Sequence, residues 1–350
     1  MRSAKPATTG HGDHGQSGAA GPSHHLGQAS AERTLCRRQS KTGQVSRLAS
    51  FVVSDHAANG LSLAPFRGLR FTADEDHLGQ LLCPPYDVID ADTRATLIAS
   101  DAGNVVRIVL PVADDSSGSP DAQYAAAAEL LSSWVADGVL AVDAEPTLYV
   151  YEMSTSPGDP ANVDPDSSGA VTRGLLGAVE LRAPEDGVIL PHENTMAGPV
   201  ADRLALMEAT EANLEPIYLV YDGGGAASDL VASVGAALAA AEPGQPDTDQ
   251  PHADQTNADQ TNADQPQTAA AFVTSAVTPD GTRHRLWAVT DATVLAAVAD
   301  DLSSRHALIA DGHHRYATYR QLADRRRAHD GQGPWDRGLA LLVDRSLIHI

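Results

Sequence analysis

Leu308-Ile-Ala-Asp-Gly-His-His-Arg-Tyr316 decides the fold class. An apolar run entering Asp311-Gly312 reads as a buried strand feeding a turn that tolerates positive φ, and a helix begins at once. The strand spans about His306 to Ile309 and the helix about His313 to His329. Backbone amides at a helix start are unpaired and carry the positive end of the dipole, so an anion placed there is stabilised. His313, His314 and Arg315 add donors at the same place. Asp311 caps the helix, or holds a metal or an acceptor hydroxyl. The plainer reading is a capped helix start whose histidines bond nearby carbonyls.

Strand and helix signals alternate on either side of this segment. Val105-Val-Arg-Ile-Val-Leu110 is β-branched and ends at Pro111, which predicts a strand. Ser119-Pro120 predicts a helix start, and Tyr124, Ala127, Leu131, Trp134 and Val135 form the helical stripe that stops at Gly138. Strands are expected at Thr147–Glu152, Ile217–Tyr221 and Arg285–Thr290. Helices are expected from Pro199, with Val200, Leu204, Met207 and Ala209 inward, and from Ala292 to Leu302. The class is α+β or mixed α/β, a sheet with flanking helices.

Two further segments carry chemistry. Ile189-Leu-Pro-His-Glu-Asn-Thr195 makes a polar loop with an acid/base pair, His192 and Glu193, and Asp202-Arg203 sits early on the next helix. It reads equally as a surface turn with a helix-capping Thr195 and an ordinary ion pair. HExxH zinc chemistry is not indicated, because Met196 stands where the second His belongs. In Cys83-Pro-Pro-Tyr-Asp87 two prolines stiffen the backbone before Tyr86-Asp87. Asp87 is a candidate base or metal carboxylate, or it caps the following helix. Arg67, Asn104 and Arg107 supply polar groups beside strands, whereas Asp222-Gly-Gly-Gly225 lacks dinucleotide-loop spacing and reads as a loop.

Charge narrows the chemistry. The 350 residues carry a net −22, and both lysines, Lys5 and Lys41, lie in the first 60 residues, where seven Lys/Arg face three acids. From Leu61 onward the balance is about −26 with no lysine. A Walker-type phosphate loop, a Schiff-base lysine and a kinase-type lysine are therefore excluded from that body. General duplex-DNA binding is disfavoured, because it rests on Lys/Arg against phosphates. Any anion must be held by Arg, His or backbone amides. Cys36 and Cys83 form no metal or disulfide pattern, which suits a reducing cytoplasm. Neither a signal-peptide core nor an apolar run of spanning length is present, so no membrane partner is expected.

Residues 1–60 are rich in Gly, Ser, His and Ala and read as a disordered tail. Residues 61–241 form the first part of a folded domain, interrupted by a polar loop at 154–168. Residues 242–271, with a five-residue Asn-Ala-Asp-Gln-Thr period, read as an acidic low-complexity insertion. Residues 272–345 form its second part, which carries the Asp311-Gly-His-His-Arg315 loop and is expected to be truncated.

Pro65-Phe-Arg-Gly-Leu-Arg70, Pro84-Pro-Tyr-Asp-Val-Ile89, Asn104-Val-Val-Arg107, Leu190-Pro-His-Glu-Asn-Thr195, Asp202-Arg-Leu204 and Ala310-Asp-Gly-His-His-Arg-Tyr316 occur in this order. Together they resemble the bacterial domain-of-unknown-function 1015 family over about 63–344. Asp311-Gly-His-His-Arg315 is also similar to the Gly-x-x-Arg phosphate loop of the ParB/sulfiredoxin-like superfamily, whose free-serine kinases carry an Asp-Gly-His-x-Arg signature. That likeness implies that Asp311, Gly312, His313, His314 and Arg315 hold a nucleotide phosphate, of ATP or ADP with Mg²⁺. Glu193 or Asp87, with His192, would then handle the proton of a small hydroxyl substrate. Arg67, Tyr86, Asn104, Arg107, Asn194, Thr195, Asp202 and Arg203 are the candidate substrate contacts. The expectation is a kinase-like phosphotransferase acting on a small metabolite, or a noncatalytic protein that binds a nucleotide or phosphometabolite.

Family members continue past the segment matching 339–344, and Ser346-Leu-Ile-His-Ile350 matches a translation of a transposase sequencing adapter. Native sequence is thus expected to end near Asp344 or Arg345. Leu339–Val343 would then be a core strand lacking its partner.

Overall fold

A computed structural model describes residues 59–112, 121–155, 170–241 and 269–347. The expected tail to residue 58, the helix start at Ser119-Pro120 and nearly all of the acidic insertion lie outside them. The chain is mixed α/β. Its strands are β1 (Leu63–Ala64), β2 (Leu69–Phe71), β3 (Leu140–Val142), β4 (Leu148–Ser154), β5 (Val171–Glu180), β6 (Ile189–Leu190), β7 (Ile217–Tyr221), β8 (Ala271–Val277), β9 (Arg283–Val289), β10 (Ala307–Asp311) and β11 (Arg337–Asp344). Its helices are α1 (Glu75–Leu81), α2 (Ala91–Ser100), α3 (Val106–Val109), α4 (Ala122–Ala136), α5 (Ala197–Thr210), α6 (Gly225–Ala241), α7 (Ala292–Leu302) and α8 (His313–Asp330).

Among the described residues nine strands form one sheet in the order β6-β10-β7-β11-β5-β4-β9-β8, with β1 added to β5. β2 and β3 pair separately. The sheet is mixed: β10 is parallel to β6 and β11 to β7, whereas β10–β7, β11–β5, β4–β5, β4–β9 and β8–β9 are antiparallel. Ile189, Ile217, Leu219 and Ile309 are at most 1% exposed in the principal core, joined by Leu302 of α7 and Tyr319 of α8. Burying such an aliphatic side chain contributes about 1.5–3 kcal/mol, so these strands anchor the site end of the sheet.

Two expectations are corrected. Residues 106–109 are a helix, α3, not a strand. Asn104 lies fully buried just ahead of it and accepts from the Val106 amide at 3.0 Å, while its Nδ2 donates to the carbonyls of Gln80 and Leu82. These Asn104 bonds and the burial of Val106, Ile108 and Val109 override the β propensity of the run. Leu339–Val343 is not a strand without a partner either. It lies within β11, which pairs with β5 on one side and β7 on the other.

Candidate functional site

β6 and β10 are parallel neighbours, with Ala307 opposite Ile189 and Leu308 opposite Leu190. Each leads forward into a helix, β6 through 191–196 into α5 and β10 through Gly312 into α8. Gly312 has φ +88°, a left-handed turn that only glycine enters without strain. Thr318 Oγ1 donates to the Val200 carbonyl, Arg325 to Glu208 and Arg326 to Glu211. The contacts advance along both helices together, so α5 and α8 run parallel and their N-termini lie side by side. Ligands in open α/β sheets gather at such carboxyl ends of strands.

Among the described residues neither helix start has a side-chain cap. Thr195 does not cap α5, Asp311 does not cap α8, and α2 is capped by Asp90 rather than Asp87. The two helices therefore bring their positive dipole ends, about half a charge each, to one place, although α5 has no N–H at Pro199 and its Met196 amide is bonded to His314. The start of α6 differs. Asp344, at the end of β11, accepts from Ser228 Oγ at 2.5 Å and from the Gly224 amide at 3.3 Å. A Cβ on Gly223 would lie 1.7 Å from the Asp344 carboxyl carbon, so glycine admits this internal carboxylate.

The histidines pin the 191–196 loop to α8. His313 Nε2 accepts from the His192 amide at 3.4 Å, and His314 Nε2 accepts from the Met196 amide at 3.1 Å. They receive backbone N–H groups rather than bonding carbonyls. The His192 and His313 rings meet edge to face at 4.5 Å. Glu193 places Oε1 3.7 Å from His192 Nε2 and Oε2 3.8 Å from His313 Nδ1. Glu193 is 64% exposed and Asp311 56%, so both carboxylates face solvent.

Arg315 turns inward. It is 4% exposed, pairs with Asp311 and donates to the Pro216 carbonyl at 2.5 Å. Among the described residues its buried Nε meets no acceptor. Next to it lies a charged cluster that sequence reading saw only in part. Arg203, 3% exposed, stacks over the Tyr86 ring at 4.1 Å, pairs with Asp202, donates to the Val109 carbonyl at 2.6 Å and lies 3.8 Å from Glu215. Tyr124 donates to Asp202 at 2.7 Å. Glu215 accepts from the Tyr86 amide at 3.0 Å and so fixes the Pro84-Pro-Tyr-Asp87 loop. Burial pushes the Glu215 carboxyl up, against the pull of the Tyr86 amide, Arg315 and Arg203. Burial, with Glu215 close by, raises the Cys83 thiol to about 12, which makes it inert. A cavity of about 10 Å³, room for one water, lies among Arg203, Leu206, Met207, Leu214, Glu215 and Arg315.

Sequence reading missed Glu215. The available signal was an acid placed just before a proline at a strand entrance, Leu214-Glu-Pro216. Of the expected contacts, Tyr86, Asp202 and Arg203 join this cluster, and Asp87, exposed on the Tyr86–Val88 turn, raises the Tyr86 and Glu215 values through its charge. Asn194 and Thr195 are exposed on the loop before α5. Asn104 is spent on backbone groups, Arg107 donates to the Ala102 carbonyl and Arg67 to the Asp143 carbonyl, so these three are not brought into the site. No group of three or more His, Cys, Asp or Glu side chains arranged for a metal ion occurs among the described residues. No helix among them is long and apolar enough to cross a membrane.

The histidines give a pH dependence. Burial and the neighbouring His192 hold His313 below the usual histidine range, outweighing Glu193 and Asp311, and burial likewise lowers His284. The unfolded chain therefore takes up these protons first, so stability is complete above about pH 6.5 and falls as the pH drops below it. Urea unfolding at pH 7.5 and 5.5 should show this loss, with a smaller loss for His313→Gln. An equal loss in both proteins would contradict the burial argument.

Taken together, the chain is a mixed α/β protein in which two helices begin side by side at the ends of two adjacent parallel strands. It belongs to the family described as "Protein of unknown function (DUF1015)", whose model matches residues 63–257 and 249–350. Neither a curated protein nor a solved structure matches the chain.

Proposed function

We propose that the chain is a nucleotide-dependent phosphotransferase that acts on a small hydroxyl-bearing metabolite. The observation that carries the reading is the pair of parallel helix starts, α5 and α8, that open side by side without side-chain caps beside His192, Glu193, His313 and His314. In a body without lysine, amides and histidines are the donors for phosphate oxygens. Arg315 contributes from behind by holding Asp311 and the strand end rather than by reaching the ligand. Mg²⁺ is bound through one or two carboxylates together with substrate phosphates, and the exposed Asp311 suits that role.

Transfer forms a bond from the acceptor oxygen to the terminal phosphorus as the bond to the bridging oxygen breaks, and the nucleoside diphosphate leaves. Glu193 takes the hydroxyl proton, with His192 and His313 beside it. Asp87 serves less well, because it lies on the Tyr86 turn by the buried cluster. A cytoplasmic setting, with free nucleotide and a reduced Cys83, completes the reading.

Calorimetry of the full chain with MgATP, MgADP and MgCTP tests it, with saturable heat expected for at least one and none for any overturning it. Glu193→Gln should cut turnover by about 10²–10⁴ with little change in nucleotide affinity. The solvent exposure of Glu193 supports a second reading, a noncatalytic sensor of nucleotide or phosphometabolite. Saturable binding without product, in the presence of candidate alcohols, would select it.

A further inference from the structure

A groove of about 450 Å³ runs along the notch between α5 and α8. Thr195, Met196 and Ala197 line one end, at the start of α5; Ala201, Leu204 and Ala205 of α5 and Gln321 of α8 line its length; Glu208 and Arg325 line the other end. Volumes of this order take a small organic ligand. From Ala197 to Glu208 the helix rises about 16 Å, so the groove is elongated rather than round. Its Thr195–Ala197 end lies at the start of α5, where the His314 ring of α8 holds the Met196 amide. The occupant must therefore be anionic at one end, with its remaining body lying on alanine and leucine surface.

We infer that this groove is the nucleoside subsite of the phosphate site, a reading that rests on the proposed function and extends it to ligand class. A phosphate at the α5 and α8 starts directs the rest of the molecule into the notch. The exposed Met196 thioether is a soft, polarizable surface for a flat ring. Along the groove Gln321 offers an amide donor and acceptor, and at the far end the Arg325–Glu208 pair at 2.8 Å adds further polar groups for a base edge. A sugar phosphate would leave that polar end and most of the alanine wall without contacts.

The test compares MgATP with Mg-tripolyphosphate, binding both to the full chain. The natural sequence should bind MgATP about tenfold or more tighter, the equivalent of about 1.4 kcal/mol from the nucleoside. Ala201→Trp, at an exposed helix position, should reduce that ratio to near one, and Gln321→Ala should lower it in part. Circular dichroism establishes that each variant is folded. Equal affinities in the natural sequence, or a ratio unmoved by Ala201→Trp, would overturn the subsite while leaving the phosphate site standing. Tighter binding of glucose 6-phosphate than of MgATP would also overturn it. Failure of both tripolyphosphate and ATP to bind would remove the proposed function itself.

Discussion

Arg203→Met is expected to cost about 3–5 kcal/mol of stability and to loosen the Pro84-Pro-Tyr-Asp87 loop. Methionine fills much of the volume but offers nothing to Asp202, the Val109 carbonyl or Glu215, and the Tyr86 ring loses the guanidinium it lies under. Among the described residues, Glu215 would keep Arg315 as its one nearby cation in a site where burial already disfavours its charge. Adding Glu215→Gln to Arg203→Met should therefore recover part of the loss, since it removes the stranded charge. Urea unfolding of the two single variants and the double variant measures this coupling. Strictly additive losses would show that Arg203 acts through packing alone.

Glu152→Ala should destabilise the opposite half of the sheet by about 2–4 kcal/mol. Glu152 is fully buried on β4, directly opposite Arg173 of β5 and Arg285 of β9, and bonds both. Its removal leaves two guanidiniums facing one another across a strand. The expected cost lies below that of a sealed pair because Arg173 and Arg285 remain 29% and 20% exposed and retain some water. Nucleotide affinity of the folded fraction should be unchanged, because the triad stands at strands remote in sheet order from β6 and β10. A variant as stable as the natural protein would show that water already satisfies the arginines.

Legibility followed the range of the interactions. The α7 and α8 spans, the Tyr124-Ala127-Leu131-Trp134 stripe and the strands at 148–154 and 217–221 rest on local periodicity and turn chemistry, and the sequence shows them. Residues 106–109 were misread because the Asn104 contacts with Gln80 and Leu82, more than twenty residues away, outweigh β-branching. The strand-to-helix turn at Asp311-Gly312 was readable, but the direction of Arg315 was not, since Pro216 supplies its acceptor. Likewise the loop at 190–195 was recognisable as a polar segment. That its helix starts beside α8 depends on β6 and β10 pairing in parallel across more than a hundred residues. Glu215 stayed hidden because its partners, Tyr86 and Arg203, reach it only through that same arrangement.

The central claim is that phosphate binds where α5 and α8 begin. A crystal structure of the full chain with MgATP tests it most directly. Phosphate oxygens within hydrogen-bond distance of the His313–Arg315 amides and the Ala197-Gly198 amides are the predicted result. Phosphates bound elsewhere, for instance at the start of α6 with Asp344 displaced, would contradict it.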